Sequence, residues 1–170
     1  MNCVFAGTFD PLTAGHENVI KKCLEVYPRV LIVAGENAEK TPFFSLAERM
    51  DILNAVYGGE KRVKVAAYRD CAERYADFLK ENGVTVYVRG IRSEKDREYE
   101  NAAISANAAL YPFVKTVFFS PDAEFSGISS SIVRERIKNG ADFSDLLSEK
   151  AYNAVKAVLS ERAERLKNPL

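Results

Sequence analysis

The chain has 170 residues, 47% of them hydrophobic, with 24 lysines and arginines against 24 aspartates and glutamates. That length and apolar content are those of one domain, residues 1–170, able to bury its own core without disulfides or metal. The balanced charge excludes a nucleic-acid binder working through bulk charge, and no apolar run is long enough to cross a membrane.

The first predicted strand is Cys3–Ala6, short, apolar and uncharged. It runs into Gly7-Thr8-Phe9-Asp10-Pro11-Leu12-Thr13-Ala14-Gly15-His16, beyond which Val19, Ile20, Cys23, Leu24 and Tyr27 recur at helical spacing. The decapeptide is therefore a strand-to-helix turn rich in glycine and small hydroxyl residues. Such a turn lets backbone N–H groups approach an anion, and the helix N-terminus adds partial positive charge. His16, the one histidine of the chain, falls in the first helical turn and is expected to face the same cavity. The turn has neither the G-x-G-x-x-G spacing of a dinucleotide fold nor the G-K-[ST] ending of a P-loop. Taken alone, its glycines could serve only tight packing.

Arg29–Gly35 reads as a second buried strand. A polar loop carrying Lys40 follows, then Ser45 and Glu48 form a capping box for a helix with Leu46, Met50, Leu53 and Val56 on its apolar side. Gly58-Gly59 ends that helix, and Val63–Tyr68 is the third strand. A helix is predicted from Cys71 to Asn82, with Tyr75, Phe78 and Leu79 on one side and Gly83 as its stop. The fourth strand, Val84–Val88, leads directly into Arg89-Gly90-Ile91-Arg92. A long helix is expected from Ser93 to Leu110, then a fifth strand, Thr116–Phe119. The serines of Phe125-Ser126-Gly127-Ile128-Ser129-Ser130-Ser131 cap a helix ending near Gly140. A last helix runs from Ser148 to about Leu166, with Leu147 and Tyr152 as a hydrophobic staple. Strands alternating with helices predict an α/β fold: a Rossmann-like, doubly wound, five-stranded parallel sheet with flanking helices.

In such sheets ligands bind beyond the carboxyl ends of the strands. Gly7-Thr8-Phe9, Lys40, Arg89-Gly90-Ile91-Arg92 and Ile128-Ser129-Ser130-Ser131 all fall at that edge. The opposite joins carry cations too, Lys61-Arg62 and Lys115, but no comparable motif. Guanidinium forks suit phosphate oxygens. A solvated lysine at position 40, serines that only cap and a solvated charged face at Glu98 and Glu100 remain the plain alternatives. Cys3, Cys23 and Cys71 are odd in number and dispersed, which fits neither a disulfide framework nor a zinc site. With no secretory leader visible, a cytoplasmic location is expected.

The first motif resembles the T/H-x-G-H signature of the nucleotidyltransferase superfamily. Three further motifs extend the resemblance: Lys40 with Pro42-Phe43-Phe44-Ser45-Leu46 and Glu48-Arg49, then Arg89-Gly90-Ile91-Arg92 with Glu98-Tyr99-Glu100, then Ile128-Ser129-Ser130-Ser131. Together, over residues 3–158, they are similar to the bacterial phosphopantetheine adenylyltransferases. That resemblance implies transfer of AMP from ATP to 4′-phosphopantetheine, giving dephospho-coenzyme A and pyrophosphate, with Mg²⁺ held mainly by the ATP phosphates. It also implies a homohexamer and feedback inhibition by coenzyme A. Carried over by position, His16 stabilises the transition state, with Thr8, Lys40 and Arg92 also in the catalytic set. Thr8, Phe9, His16, Gly90, Ile91, Arg92, Glu100 and Phe125 through Ser131 (Phe125, Ser126, Gly127, Ile128, Ser129, Ser130, Ser131) bind ATP. Thr8, Lys40, Arg89 and a residue at Tyr75 or Ala76 bind the acceptor. The chain departs from the family's usual residues at Ala14, Arg97, Phe125 and Gly127, none of which removes a group the reaction requires. Nicotinate mononucleotide adenylyltransferases and cytidylyltransferases are the neighbouring alternatives, but more often carry ISST or ISTT at the last motif. A nucleotide-binding regulatory module is the alternative from another class.

Overall fold

The computed structural model describes residues 1–36, 41–68, 72–91 and 108–167, and of residues 72 and 73 the backbone alone. Its strands are β1 (Asn2–Gly7), β2 (Arg29–Gly35), β3 (Val63–Tyr68), β4 (Val84–Gly90) and β5 (Lys115–Phe119). Its helices are α1 (Ala14–Val26), α2 (Leu46–Tyr57), α3 (Ala72–Glu81), α4 (Ser130–Lys138) and α5 (Glu149–Lys167). The sheet is parallel throughout, in the order β3-β2-β1-β4-β5. This is the Rossmann-like arrangement expected of alternating strands and helices. The predicted helix over 93–110 lies outside the described residues except for its last turn at 108–110, which is helical.

Both faces of the sheet are covered, which is why β1 and β2 read as unbroken apolar runs. Cys3, Phe5, Val30, Ile32, Val86 and Val88 pack with Val19, Ile20, Ile52, Leu53, Val133 and Val155 into one core. Val4, Leu31, Val33 and Tyr87 turn to the other face, where Tyr75 and Leu79 of α3 meet them. The chain crosses from one face to the other between β3 and β4, so β1 and β4 become neighbours whose preceding and following helices diverge. That switch opens a crevice at their carboxyl ends.

Caps locate the helices. Ser45 and Glu48 form the expected capping box on α2, and Ser129 caps α4 by accepting from the Ile132 N–H. Gly83, at φ 63°, turns the chain out of α3 in the left-handed region that glycine tolerates. β4 runs two residues beyond its predicted end, because Arg89 and Gly90 still pair with Phe118 and Phe119 of β5. At the start of α5 the Ser148 Oγ accepts from the Ala151 N–H. Tyr152 sets its ring on Phe143, 5.0 Å between centroids. Among the described residues no helix is long and apolar enough to cross a membrane.

Candidate active site

The turn after β1 takes its shape from Phe9. Its φ of 46° is unusual for a side chain with a Cβ. That backbone bend folds the ring inwards, where it is buried edge-on against Phe5 (5.6 Å) and His16 (5.2 Å). Left-handed kinks of this kind gather successive N–H groups into anion-binding concavities. Pro11 follows through a cis peptide bond, and fully buried Thr13 caps α1.

The cap fixes the histidine. Thr13 Oγ1 accepts from the His16 N–H, and the Thr13 N–H donates to His16 Nδ1 at 3.1 Å. Thr13 Oγ1 also lies 2.9 Å from Nδ1. His16 thus occupies the place that glutamate or glutamine takes in an ordinary capping box. With Nδ1 accepting, the neutral imidazole carries its proton on Nε2, as a donor.

His16 lines a cavity of about 170 Å³ together with Gly7, Phe9, Gly15, Arg89, Gly90 and Pro121, over the side chains of Phe5 and Val19. The cavity lies between the ends of β1 and β4, at the switch in strand order. Arg89 is half-buried with its guanidinium 5.5 Å from the Tyr87 ring centre. A Cβ on Gly15 would sit 3.5 Å from the Phe125 carbonyl and 3.8 Å from that of Ile128, so α1 and the 125–128 segment approach closely there.

Asp10 joins the first two motifs to each other and to α4. Its carboxylate accepts from the N–H groups of Phe43 (2.9 Å) and Phe44 (2.7 Å), and its carbonyl accepts from Arg134 Nη1 at 2.6 Å. From the same helix as Arg134, the Ser130 hydroxyl donates to the Pro11 carbonyl at 2.8 Å. The N-termini of α1 and α4 are thereby brought to one edge, and the first N–H groups of each lack an intrahelical acceptor. Arg134 also donates to the Ser131 hydroxyl. Each serine of the triplet therefore has a distinct structural partner.

Behind the turn, Arg49 of α2 is almost wholly buried and donates to the carbonyls of Thr8, Gly35 and Phe44. Arg162 of α5 donates to the two Glu48 carboxylate oxygens through Nε and Nη2, donates to the Phe43 carbonyl through Nη2 and lies over the Phe43 and Phe44 rings. Those bonds from Arg162 hold the Glu48 carboxyl well below its ordinary value, to about 2. Buried Cys23 has its thiol pushed far up by its hydrogen bond with Cys3 and by burial, the reverse of an activated nucleophile.

The cavity thus gathers Phe9, His16, Arg89 and Gly90, with Thr8 exposed at its turn and Ile91 anchored beside it through its N–H to the Phe119 carbonyl. Ser129, Ser130 and Ser131 stand at the start of α4, next to the turn. Phe125 brings its carbonyl close to Gly15 and also lines a groove of about 580 Å³ along α1 with Glu17, Asn18 and Leu147. Ser126 donates to the Ala123 carbonyl, Gly127 is exposed and Ile128 is buried in the core. Tyr75 stacks in an aromatic cluster with Tyr68, Phe78 and Tyr111, and Ala76 packs beside it. Lys40, Arg92, Arg97, Glu98 and Glu100 lie outside the described residues. The sequence reading assigned nothing to Thr13 beyond its motif position, nor to Asp10, Arg49 or Arg134. Thr13-x-x-His16 has capping-box spacing, and Arg49 interrupts an apolar stripe, so both left a readable signal.

A strand-turn-helix crevice at the switch point of a parallel sheet is the architecture shared by nucleotide-binding α/β enzymes. The Cytidylyltransferase-like family matches residues 4–136. The chain is 37% identical over 152 residues to the phosphopantetheine adenylyltransferase of Helicobacter hepaticus, covering 89% of this chain and 90% of that protein. It is 35% identical to that of Burkholderia vietnamiensis (98% and 96% covered) and 34% identical to that of Haemophilus influenzae (91% and 97%). The chain belongs to the cytidylyltransferase-like family and, within it, to the phosphopantetheine adenylyltransferases, which are nucleotidyltransferases.

Proposed function

We propose that this enzyme transfers the adenylyl group of ATP to 4′-phosphopantetheine, releasing pyrophosphate and giving dephospho-coenzyme A. The observation that carries the reading is the cavity itself: the phosphate turn, His16 and the Arg89-Gly90 strand end meet at one crevice. ATP phosphates would lie on the backbone of Thr8 and Phe9, with the α1 and α4 N-termini favouring their charge. The acceptor phosphate is already anionic near neutral pH, so it attacks the α-phosphorus in line without a general base and without a covalent enzyme intermediate. Its P–O bond forms as the bond to the pyrophosphate oxygen breaks. Catalysis then reduces to alignment and to neutralising charge on the α-phosphoryl oxygens. His16 Nε2–H supplies one donor, and the Thr13 cap prevents the ring from turning away. Arg89 holds the acceptor phosphate, with Lys40 and Arg92 assigned to the same charge balance by resemblance.

Mg²⁺ is assigned to the nucleotide. By the resemblance, phosphate oxygens and water would hold it there, and it would supply neutralisation of charge. A cytoplasmic homohexamer inhibited by coenzyme A belongs to the same proposal. Pyrophosphate release with phosphopantetheine, nicotinamide mononucleotide and glycerol 3-phosphate as rival acceptors tests it. Turnover with phosphopantetheine at least a hundredfold above the others is expected. Preference for either rival would reassign the enzyme within its superfamily, and binding without turnover would mark a regulatory module.

A further inference from the structure

We infer that Arg49 is a positioning residue for the reaction, setting the phosphate turn from behind. The inference rests on the reading that this turn receives the ATP phosphates. Arg49 sits three residues after Leu46 on α2, inside that helix's apolar stripe, and is 1% exposed, heading the fully buried side chains by size. A buried guanidinium is costly unless its donors are met. Here Nη1 donates to the Thr8 carbonyl at 2.6 Å and the Gly35 carbonyl at 2.8 Å, and Nε donates to the Phe44 carbonyl at 3.1 Å. Nη2 lies 4.0 Å from the Glu36 carboxylate. The acceptors belong to the turn after β1, to the last residue of β2 and to the lead-in of α2. One side chain therefore ties together three segments at the carboxyl edge of the sheet.

The bond to Thr8 bears on chemistry because of peptide geometry. The Thr8 carbonyl and the Phe9 N–H share one planar trans peptide and point in opposite directions. Drawing that carbonyl back onto Arg49 aims the Phe9 N–H to the opposite side of the turn. It also holds the left-handed φ of Phe9, which turns the Phe9 ring against His16. Arg49 thus governs the direction of a proposed phosphate donor and the packing of the His16 ring while touching neither ligand. Lysine could bring the charge but has a single nitrogen, whereas these carbonyls meet two separate guanidinium nitrogens.

The test is Arg49→Lys in the full chain, with Ile52→Val as a control that loosens the core from the same helix. Calorimetry with inorganic tripolyphosphate and steady-state kinetics are both normalised to folded protein. Arg49→Lys is expected to weaken tripolyphosphate binding about tenfold and to lower kcat/KM for ATP at least as much, while Ile52→Val changes neither beyond twofold. Equal values per folded molecule in both variants would leave Arg49 a structural residue only and overturn the inference. Should Arg49→Lys not fold, the unmodified protein decides by NMR: tripolyphosphate must shift the Phe9 amide and the Arg49 Nε–H together. A shift at Phe9 with none at Arg49 overturns the inference alone. No shift at Phe9 overturns the phosphate-turn reading and the inference with it.

Discussion

Among the described residues the two edges of the sheet both carry cations and both carry a hollow, and the hollow at the amino edge is larger than the one lined by His16. At the amino edge Arg29, Lys61, Arg62 and Lys64 surround about 320 Å³ with Asn2, Glu81 and Asn82. At the carboxyl edge His16 and Arg89 line about 170 Å³. The size and charge of the described linings alone would favour the first. The helices reverse that choice, because in a parallel sheet their C-termini gather at the amino edge. There Arg62 donates to the Leu24 carbonyl near the end of α1, and Lys64 donates to Asn82, which itself donates to the Phe78 carbonyl at the end of α3. Those cations answer carbonyls and the negative ends of helix dipoles. At the carboxyl edge helix N-termini converge instead, and buried or half-buried groups such as Thr13, Arg49 and Arg134 are bonded so as to shape the turn. A basic hollow therefore marks an anion site only where the helix ends agree with it.

The largest effect expected from breaking this comparison is at His16. His16→Ala should lower kcat by about 10²- to 10³-fold, the loss seen when one preorganised donor is removed, with much smaller changes in KM. It also removes the histidine half of the capping box while the Thr13 hydroxyl still caps α1, so stability should fall by no more than about 1 kcal/mol. His16→Gln, the usual capping-box residue, should restore most of that stability and little of the rate. Rate and stability recovering together would make His16 a structural cap.

Arg89→Lys comes next. It keeps the charge and loses the fork, so acceptor affinity should fall about tenfold, roughly 1.4 kcal/mol, with ATP affinity nearly unchanged. Calorimetry showing equal losses for both ligands would contradict the assignment of Arg89 to the acceptor.

How much of this was legible follows the range of each interaction. β2 was readable to the residue because a continuous apolar run closed by Gly35 has few other readings, and β3 because β-branched and apolar residues flank Lys64 from Val63 to the end at Tyr68. The Ser45–Glu48 cap spans three residues and was equally plain. The Thr13–His16 cap has the same span but was hidden by a histidine where glutamate is expected. Arg134 meeting Asp10 spans 124 residues, and only the order of strands brings α4 beside the first turn. Tyr75 was readable as an inward face of α3, but not which layer that face meets. The structure puts it among Tyr68, Phe78 and Tyr111. Phe125 was legible as part of a motif, yet a motif does not say on which side of α1 its ring falls.

A smaller effect sharpens how the carboxyl edge is held. The Glu48 carboxyl is lowered to about 2 by Arg162, so its contribution is present above its ordinary range near 4.5 and is lost as pH falls towards 2. Glu48→Gln should cost about 1 kcal/mol at pH 7, after discounting for solvent around the pair. The gap in melting temperature from the parent should narrow steadily below pH 4.5. A gap independent of pH would show that the ion pair is not its source. Smallest of all, Lys64→Ala at the amino edge should cost no more than about 0.5 kcal/mol, as exposed pairings do, and leave kcat/KM unchanged. A tenfold loss of activity there would give the amino edge a role in the reaction.

The most direct test of the two-edge account is an amide NMR map of the full chain titrated with a non-hydrolysable ATP analogue and Mg²⁺. The account predicts saturating shifts at Thr8, Phe9, Gly15, His16, Gly90 and Ser129 to Ser131, with Asn2, Arg62, Lys64 and Asn82 unmoved. Shifts centred on the basic hollow at the amino edge, with the turn after β1 silent, would contradict it.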